Sequence, residues 1–206
     1  VYGYDARGQV VFTAQAVGSP ESSKRFVVTQ TEYNAFGQVV KVRQHAQQAD
    51  LSSLGDVPTL SALQSAVGLD ATADRVTSHV YDAGGRLAYT LDAMGTVTRL
   101  RYSAQGEMAE QTTFGKRYTG ELTLAKLDDF YGRAENATVG VDRITRVVRD
   151  AAGRERYRID AAGGVTELVY GEMGRVSRQI QWAVAVDASQ LPVGATVGQV
   201  QALLNA

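Results

Sequence analysis

Apolar and polar residues alternate softly, with a period of two, over several short stretches of the chain, and each stretch stops at a small polar residue or a glycine. Arg86–Leu91, Thr96–Tyr102, Arg154–Ile159 and Val165–Tyr170 are such stretches. All are close to the usual strand length of about five or six residues. In the second, Thr98, Leu100 and Tyr102 fall on one face, and Val97, Arg99 and Arg101 on the other. Val176, Arg178, Ile180 and Trp182 mix the two characters along a further strand.

A four-residue pattern separates the stretches: Asp or Asn, two variable residues, then Gly. It occurs as Asp5-Ala6-Arg7-Gly8, Asn34-Ala35-Phe36-Gly37, Asp82-Ala83-Gly84-Gly85, Asp92-Ala93-Met94-Gly95, Asp150-Ala151-Ala152-Gly153 and Asp160-Ala161-Ala162-Gly163. Looser copies are Ser103-Ala104-Gln105-Gly106 and Gly171-Glu172-Met173-Gly174. The first side chain accepts hydrogen bonds from the turn backbone, and two ordinary residues fill type I positions. Glycine then takes the left-handed conformation that opens a G1 bulge. The pattern therefore predicts a hairpin at each copy. Its structural turn residues are Asp5, Gly8, Asn34, Gly37, Asp82, Gly85, Asp92, Gly95, Gly106, Asp150, Gly153, Asp160, Gly163 and Gly174.

A longer repeat overlies the turns. Ala73-Asp74-Arg75-Val76-Thr77 matches Val141-Asp142-Arg143-Ile144-Thr145 at an offset of 68, which persists from Asp82/Asp150 to Gly106/Gly174. Three non-β inserts interrupt the pattern, at about 50–70, 119–134 and 187–205. In the first, which includes Gly55, Asp56 and Val57, Thr59 is placed to cap a short helix with Leu60, Leu63 and Val67 on one face. The second runs through Leu122, Leu124, Leu127 and Phe130. The third repeats the first at an offset of 137: Asp187, Leu191, Thr196, Val197 and Val200 answer Asp50, Leu54, Thr59, Leu60 and Leu63. The expected architecture is mainly β: antiparallel hairpins in a curved sheet or shell-like array, with short helical inserts packed on it. Residues 1–206 read as one fragment of a larger repeat region, in modules of about 1–72, 73–140 and 141–206.

Tyr4-Asp5-Ala6-Arg7-Gly8-Gln9-Val10, Glu32-Tyr33-Asn34-Ala35-Phe36-Gly37-Gln38-Val39 and Val80-Tyr81-Asp82-Ala83-Gly84-Gly85-Arg86-Leu87 resemble the YD repeat of RHS and YD-repeat proteins. Val148-Arg149-Asp150-Ala151-Ala152-Gly153-Arg154-Glu155 keeps the turn and loses the tyrosine. The resemblance covers most of the chain outside the inserts. It implies a large exported or surface-associated polypeptide, of the kind found in bacterial polymorphic toxins, insecticidal toxin complexes, wall-associated proteins and teneurins. In the toxins such repeats spiral into a hollow shell around a C-terminal toxic domain. The implied function is a non-catalytic, encapsulating scaffold segment of a secreted or surface-associated bacterial protein. Its partners are then the remainder of its own polypeptide and an encapsulated toxin domain. The alternative is a surface adhesin or carbohydrate-binding array. Family shells end in a core segment with an aspartyl self-cleavage site; nothing here matches it, so no catalytic residue carries over.

Composition narrows the chemistry. Lys and Arg total 21 against 22 Asp and Glu, with the signs interleaved, which argues against a nucleic-acid partner. With no cysteine, disulfides, thiolate zinc sites and cysteine nucleophiles are excluded. No apolar run reaches the roughly 18 residues of a membrane-spanning helix. Val1-Tyr2-Gly3-Tyr4 reads as the middle of a strand, so any targeting signal is expected upstream. His45 and His79 lack companions at metal-ligand spacing. Asp5, Asp82, Asp92, Asp150 and Asp160 lack calcium-loop spacing and read as turn formers. Arg154, Arg156 and Arg158 form a basic stripe, read as solvated or lumen-facing in preference to binding an anionic sugar. Tyr81, Tyr102, Tyr157, Tyr170 and Trp182 read as cross-strand aromatic packing in preference to a sugar-stacking row. Asp128-Asp129 reads as a solvated helix position, and Asn136-Ala137-Thr138 fits a glycosylation sequon. No nucleophile-elbow, P-loop or dinucleotide motif occurs. The expectation is no enzyme, with no catalytic, cofactor-binding or metal residue.

Overall fold

The computed structural model describes residues 1–18, 25–54, 58–68, 70, 72–137 and 141–205. Gly55, Asp56 and Val57 of the first insert and Thr138 of the sequon lie outside them. Among the described residues, thirteen strands, paired antiparallel, and three short α-helices make the protein mainly β. The chain divides into two compact units, Val1–Val80 with Leu91–Met94, and Tyr81–Thr90 with Gly95–Ala206.

The first unit carries β1 (Tyr2–Tyr4), β2 (Val10–Ala16), β3 (Arg25–Tyr33), β4 (Val39–Gln44), a two-residue β5 (Ala49–Asp50) and β6 (Arg75–Tyr81) except its last residue. Its strands run in the order β1-β2-β3-β4-β6, with β5 paired to β3. Helix α1 (Leu60–Ala66) rises from the β5–β6 connection. Leu63 and Val67 close a core with Phe12, Ala14, Val28, Ala49 and Leu51. The second unit carries β7 (Leu87–Leu91) except its last residue, β8 (Val97–Tyr102), β9 (Met108–Thr113), β10 (Arg143–Arg149), β11 (Glu155–Ile159), β12 (Val165–Tyr170) and β13 (Val176–Gln181), side by side in chain order. Helix α2 (Leu124–Gly132) leaves between β9 and β10, and α3 (Val197–Leu204) follows β13.

Helices of seven to nine residues are too short to stand alone in water, so packing must hold them. The sequence solves this the same way three times. A threonine caps each helix: Thr59 accepts from the Ala62 N–H (3.2 Å), Thr123 from Lys126 (3.4 Å) and Thr196 from Gln199 (3.3 Å). The residues four and eight places beyond each cap are buried: Leu63 and Val67, Leu127 and Tyr131, Val200 and Leu204. That spacing is the one-sided stripe of a helix. In the second insert the four-residue step leaves Leu124 and Phe130 half-buried and carries the buried face from Leu127 to Tyr131. Phe130 meets that ring edge-on, with centroids 5.0 Å apart.

Candidate functional site

The turn copies share one geometry. Asp5 Oδ1 accepts from the N–H groups of Arg7 and Gln9, each at 2.9 Å, and Asp82 Oδ1 from Gly84 and Arg86 at the same distances. Asn34, Asp150 and Asp160 repeat both bonds, and Asp92 accepts from Met94. Gly8, Gly37, Gly85, Gly95, Gly106, Gly153, Gly163 and Gly174 have φ between +70° and +87°. Beside five of these turns the register shifts, bringing Tyr4 opposite Val10, Tyr33 opposite Val39, Tyr102 opposite Met108, Arg149 opposite Glu155 and Tyr170 opposite Val176.

The residue before one turn locks onto the hairpin preceding it. Tyr33 donates its hydroxyl to the Val10 carbonyl (2.9 Å), Tyr102 to Leu87 (2.8 Å) and Tyr170 to Glu155 (2.6 Å). Each acceptor lies two residues past a turn glycine. The residue between, immediately after the glycine, is Gln9, Arg86 or Arg154. The Arg86 guanidinium lies 4.6 Å from the Tyr102 ring centroid, and Arg154 lies 4.5 Å from that of Tyr170. Each arginine also pairs with the first residue of its own turn, Asp82 and Asp150, at 2.8 Å. Arg154 holds the Asp150 carboxyl below its usual range; Asp82 is lowered too, because bonds from Arg86 outweigh the opposing effect of burial. At the β9–β10 joint the slot is rewritten in charge. Glu107 follows Gly106, Arg149 stands in the tyrosine position, and they pair at 2.7 Å. Asp, Gly, Arg and Tyr of the motif are thus one contact shared by consecutive hairpins.

A second set of polar contacts is buried. Glu110, 2% exposed, sits between Arg146 Nη2 (2.6 Å) and Arg99 Nη2 (3.3 Å), with the Thr112 hydroxyl at 3.2 Å. The registers cause this: Glu110 faces Arg101 on β8 and Arg146 on β10, while Arg99 faces Thr112. Burial pulls the Arg146 guanidinium below its ordinary value against the attraction of Glu110. Glu167 is held by Arg156 (2.6 Å) and the Trp182 indole N–H (2.9 Å). In the first unit, the fully buried Asp74 carboxylate takes bonds from the Ala46 N–H (2.9 Å) and Arg43 (3.1 Å), with His45 Nδ1 at 3.4 Å. Burial acts to raise the Asp74 pKa, but these donors outweigh it and lower it. Asp142 makes the corresponding bond to the Gly115 N–H, 2.8 Å, in the second unit.

The Arg154, Arg156 and Arg158 stripe is paired residue by residue, with Asp150, Glu167 and Glu155. The expected aromatic row is corrected. Tyr102 and Tyr170 rest under arginines in place of aromatic partners, and Trp182 donates to Glu167. The aromatic cluster lies instead at Tyr89, Phe114, Tyr118, Phe130 and Tyr131. Asp128 and Asp129 are both exposed on the helix, as expected; Asp128 also accepts from the Tyr89 hydroxyl at 2.7 Å, and Asp129 pairs with Arg133. Asn136 is buried, and its amide is engaged by Phe130 and Lys116. An attached glycan would have to break those bonds. A cavity of about 490 Å³ in the second unit is lined by Asp82, Arg86, Tyr89, Arg99, Arg101 and Asp128. Its two carboxylates already serve Arg86 and Tyr89. Among the described residues, no group of three His, Cys, Asp or Glu side chains is placed to hold a metal ion.

No family model and no curated protein matches the chain. Its fold is similar to components of Tc toxins. The crystal structure of TcdB2-TccC3-Cdc42 matches with a TM-score of 0.50 and 17% identity, over 86% of this chain and 8% of that one. The crystal structure of TcdB2-TccC3-TEV and the Photorhabdus luminescens Tc holotoxin pore with a mutated TccC3 each match at 0.50 and 16%, with the same coverage. The chain therefore spans about 8% of the length of the chains it matches.

Proposed function

We propose that this chain is a non-catalytic scaffold segment in the wall of a secreted or surface-exposed bacterial toxin-like protein, enclosing another part of the same polypeptide. The hairpin-to-hairpin lock carries the reading. A tyrosine hydroxyl on the preceding strand's carbonyl, with an arginine over the ring in two cases, ties successive hairpins without a ligand. Such a lock supports extension of a sheet by repetition, which is what a wall requires. The fold likeness to Tc toxin components supports the same assignment. Buried carboxylates matched to guanidinium groups serve register and rigidity here, since their oxygens are occupied.

Electron cryomicroscopy of the native polypeptide containing this chain tests the proposal. The expected result is a chamber with these strands in its wall and polypeptide density inside. A sheet standing alone, with both faces in solvent, would overturn it. A glycan array probed with the 206-residue chain addresses the adhesin alternative, and a saturable, competable sugar ligand would favour that reading.

A further inference from the structure

We propose that the cavity bounded by β7, β8, helix α2 and the third insert is a binding site for a small organic monocarboxylate, held by the Arg99 and Arg101 guanidinium groups. Two copies of the 68-residue repeat differ at this slot: one fills it with its own side chains, and the other opens it.

In the β11–β12 hairpin the slot is closed. Arg156 crosses to the neighbouring strand, where Nη2 reaches Glu167 at 2.6 Å and Nη1 donates to the Leu168 carbonyl at 3.1 Å. At the offset of 68, Ala88 stands for Arg156, Arg99 for Glu167 and Leu100 for Leu168. The hairpins correspond in structure too, since Tyr102 donates to the Leu87 carbonyl as Tyr170 donates to that of Glu155. Alanine in place of arginine removes the long side chain that fills the slot. The cavity of about 490 Å³ lies there, lined by Ala88, Arg99, Leu100 and Arg101. The charge is inverted at the same time. Glu167 is met by a guanidinium, so the group that complements Arg99 in the equivalent place is a carboxylate.

The donors for such a group are in position. The Arg99 side chain is 14% exposed, and its Nε is buried without a hydrogen-bond partner among the described residues. Its Nη2 shares Glu110 with Arg146, at 3.3 Å against 2.6 Å, so one buried carboxylate serves two guanidinium groups. A buried charge short of partners is destabilising, and an added anion relieves it. Arg101 follows on the same strand face, is exposed, and has no ion-pair partner among the described residues. Asp82 and Asp128 also line the cavity, where Arg86 and the Tyr89 hydroxyl engage them. Arg86, Arg99 and Arg101 against those two carboxylates leave one positive charge in excess, which matches a monoanion. Adding the Arg146–Glu110 pair behind them leaves that excess unchanged. Leu124 and Val193 provide an apolar wall for the organic part of the ligand.

Calorimetric titration and amide chemical-shift mapping of the 206-residue chain with sodium benzoate, at constant ionic strength, test the site. Binding should saturate with a dissociation constant of about 1 mM or below. The shifts should concentrate at Ala88, Arg99 and Arg101. Inorganic phosphate, largely a dianion, is repelled by Asp82 and Asp128 and should bind about tenfold more weakly. Arg101→Gln, at an exposed position, should weaken benzoate about tenfold. Ala88→Glu places a carboxylate in the slot against Arg99, the Arg156–Glu167 pair with its ends exchanged. It should abolish benzoate binding and raise the thermal midpoint. No saturation up to about 20 mM benzoate, far above the expected range, would overturn the proposal. So would phosphate binding as tight as benzoate, an Arg101→Gln variant that binds like the wild type, or a folded Ala88→Glu variant that still binds. Should Ala88→Glu fail to fold, the wild-type titrations and Arg101→Gln decide the matter.

Discussion

Helices α2 and α3 start from the same threonine cap and bury the same two positions, four and eight residues on, yet they are held by different forces. Val200 and Leu204 of α3 enter a mostly aliphatic cluster with Val148, Ile159, Val165, Val186 and Leu191. Burial there is non-directional and scales with apolar area. The α2 side is directional. Tyr131 stacks on Phe114 with centroids 3.7 Å apart and donates its hydroxyl to the Lys116 carbonyl at 2.8 Å. Tyr89 donates to Asp128 on the helix, and Arg99 lies 5.1 Å from the Phe114 ring centroid. Helical spacing fixes where an insert must bury itself, and the residue at the eighth position decides whether it does so by area or by bonds.

The largest expected effect comes from the charge that adjoins the α2 side. Glu110→Ala leaves Arg99 and Arg146 without their shared carboxylate, and removing one partner of a buried pair costs about 3–5 kcal/mol. Urea unfolding measures the loss. Because Arg99 lies on Phe114, amide exchange should accelerate in α2 more than in α3; equal acceleration would remove the proposed asymmetry. Next, Leu127→Ala should cost about 2–5 kcal/mol through lost transfer energy and the cavity left behind. Val200→Ala removes fewer atoms and should cost less. Reversed costs would mean that the α3 cluster is the more rigid of the two.

A smaller test uses two turns. At Gly153 an added Cβ meets nothing closer than 3.9 Å, so Gly153→Ala carries only the penalty of positive φ, about 1–2 kcal/mol. At Gly163 the same Cβ falls 2.8 Å from the Val186 carbonyl oxygen, and the Val186 N–H donates to the Gly163 carbonyl at 2.8 Å. Gly163→Ala should therefore cost about 1–3 kcal/mol more, as overpacking does. It should also loosen the α3 insert, visible as faster exchange at Val186.

These cases show what the sequence discloses. The turns were legible because their chemistry is local: an Asp or Asn side chain and a glycine three residues later act on their own backbone. The threonine caps of α1 and α3 were legible for the same reason. The roles of Tyr102, Tyr170, Arg86 and Arg154 were not, because each partner sits on another strand and registry alone brings them together. The 68-residue offset held the clue, since Asp82, Arg86, Leu87 and Tyr102 recur as Asp150, Arg154, Glu155 and Tyr170. Leu87 and Glu155 differ because the slot uses their carbonyl, which any side chain supplies. Glu110 gave no local signal, since its two arginines lie on β8 and β10 on either side of it.

The most delicate test separates bonds from area by a single hydroxyl. Tyr131→Phe keeps the ring stack and removes the bond to Lys116, a loss of about 1 kcal/mol near neutral pH. Alkaline titration adds a readout that packing alone does not supply. Burial, with lesser help from Asp142 and Tyr118, pushes the Tyr131 hydroxyl up to about 12, against about 10 for an unfolded tyrosine. The folded state thus favours the protonated form. That contribution is complete below about pH 10, and it is lost as pH rises toward the folded value, because only the unfolded chain then gains by releasing the proton. Chemical unfolding at steps between pH 9 and about 12 should show a smaller decline for Tyr131→Phe than for the wild type. Parallel declines would show that the hydroxyl is not what distinguishes α2 from α3.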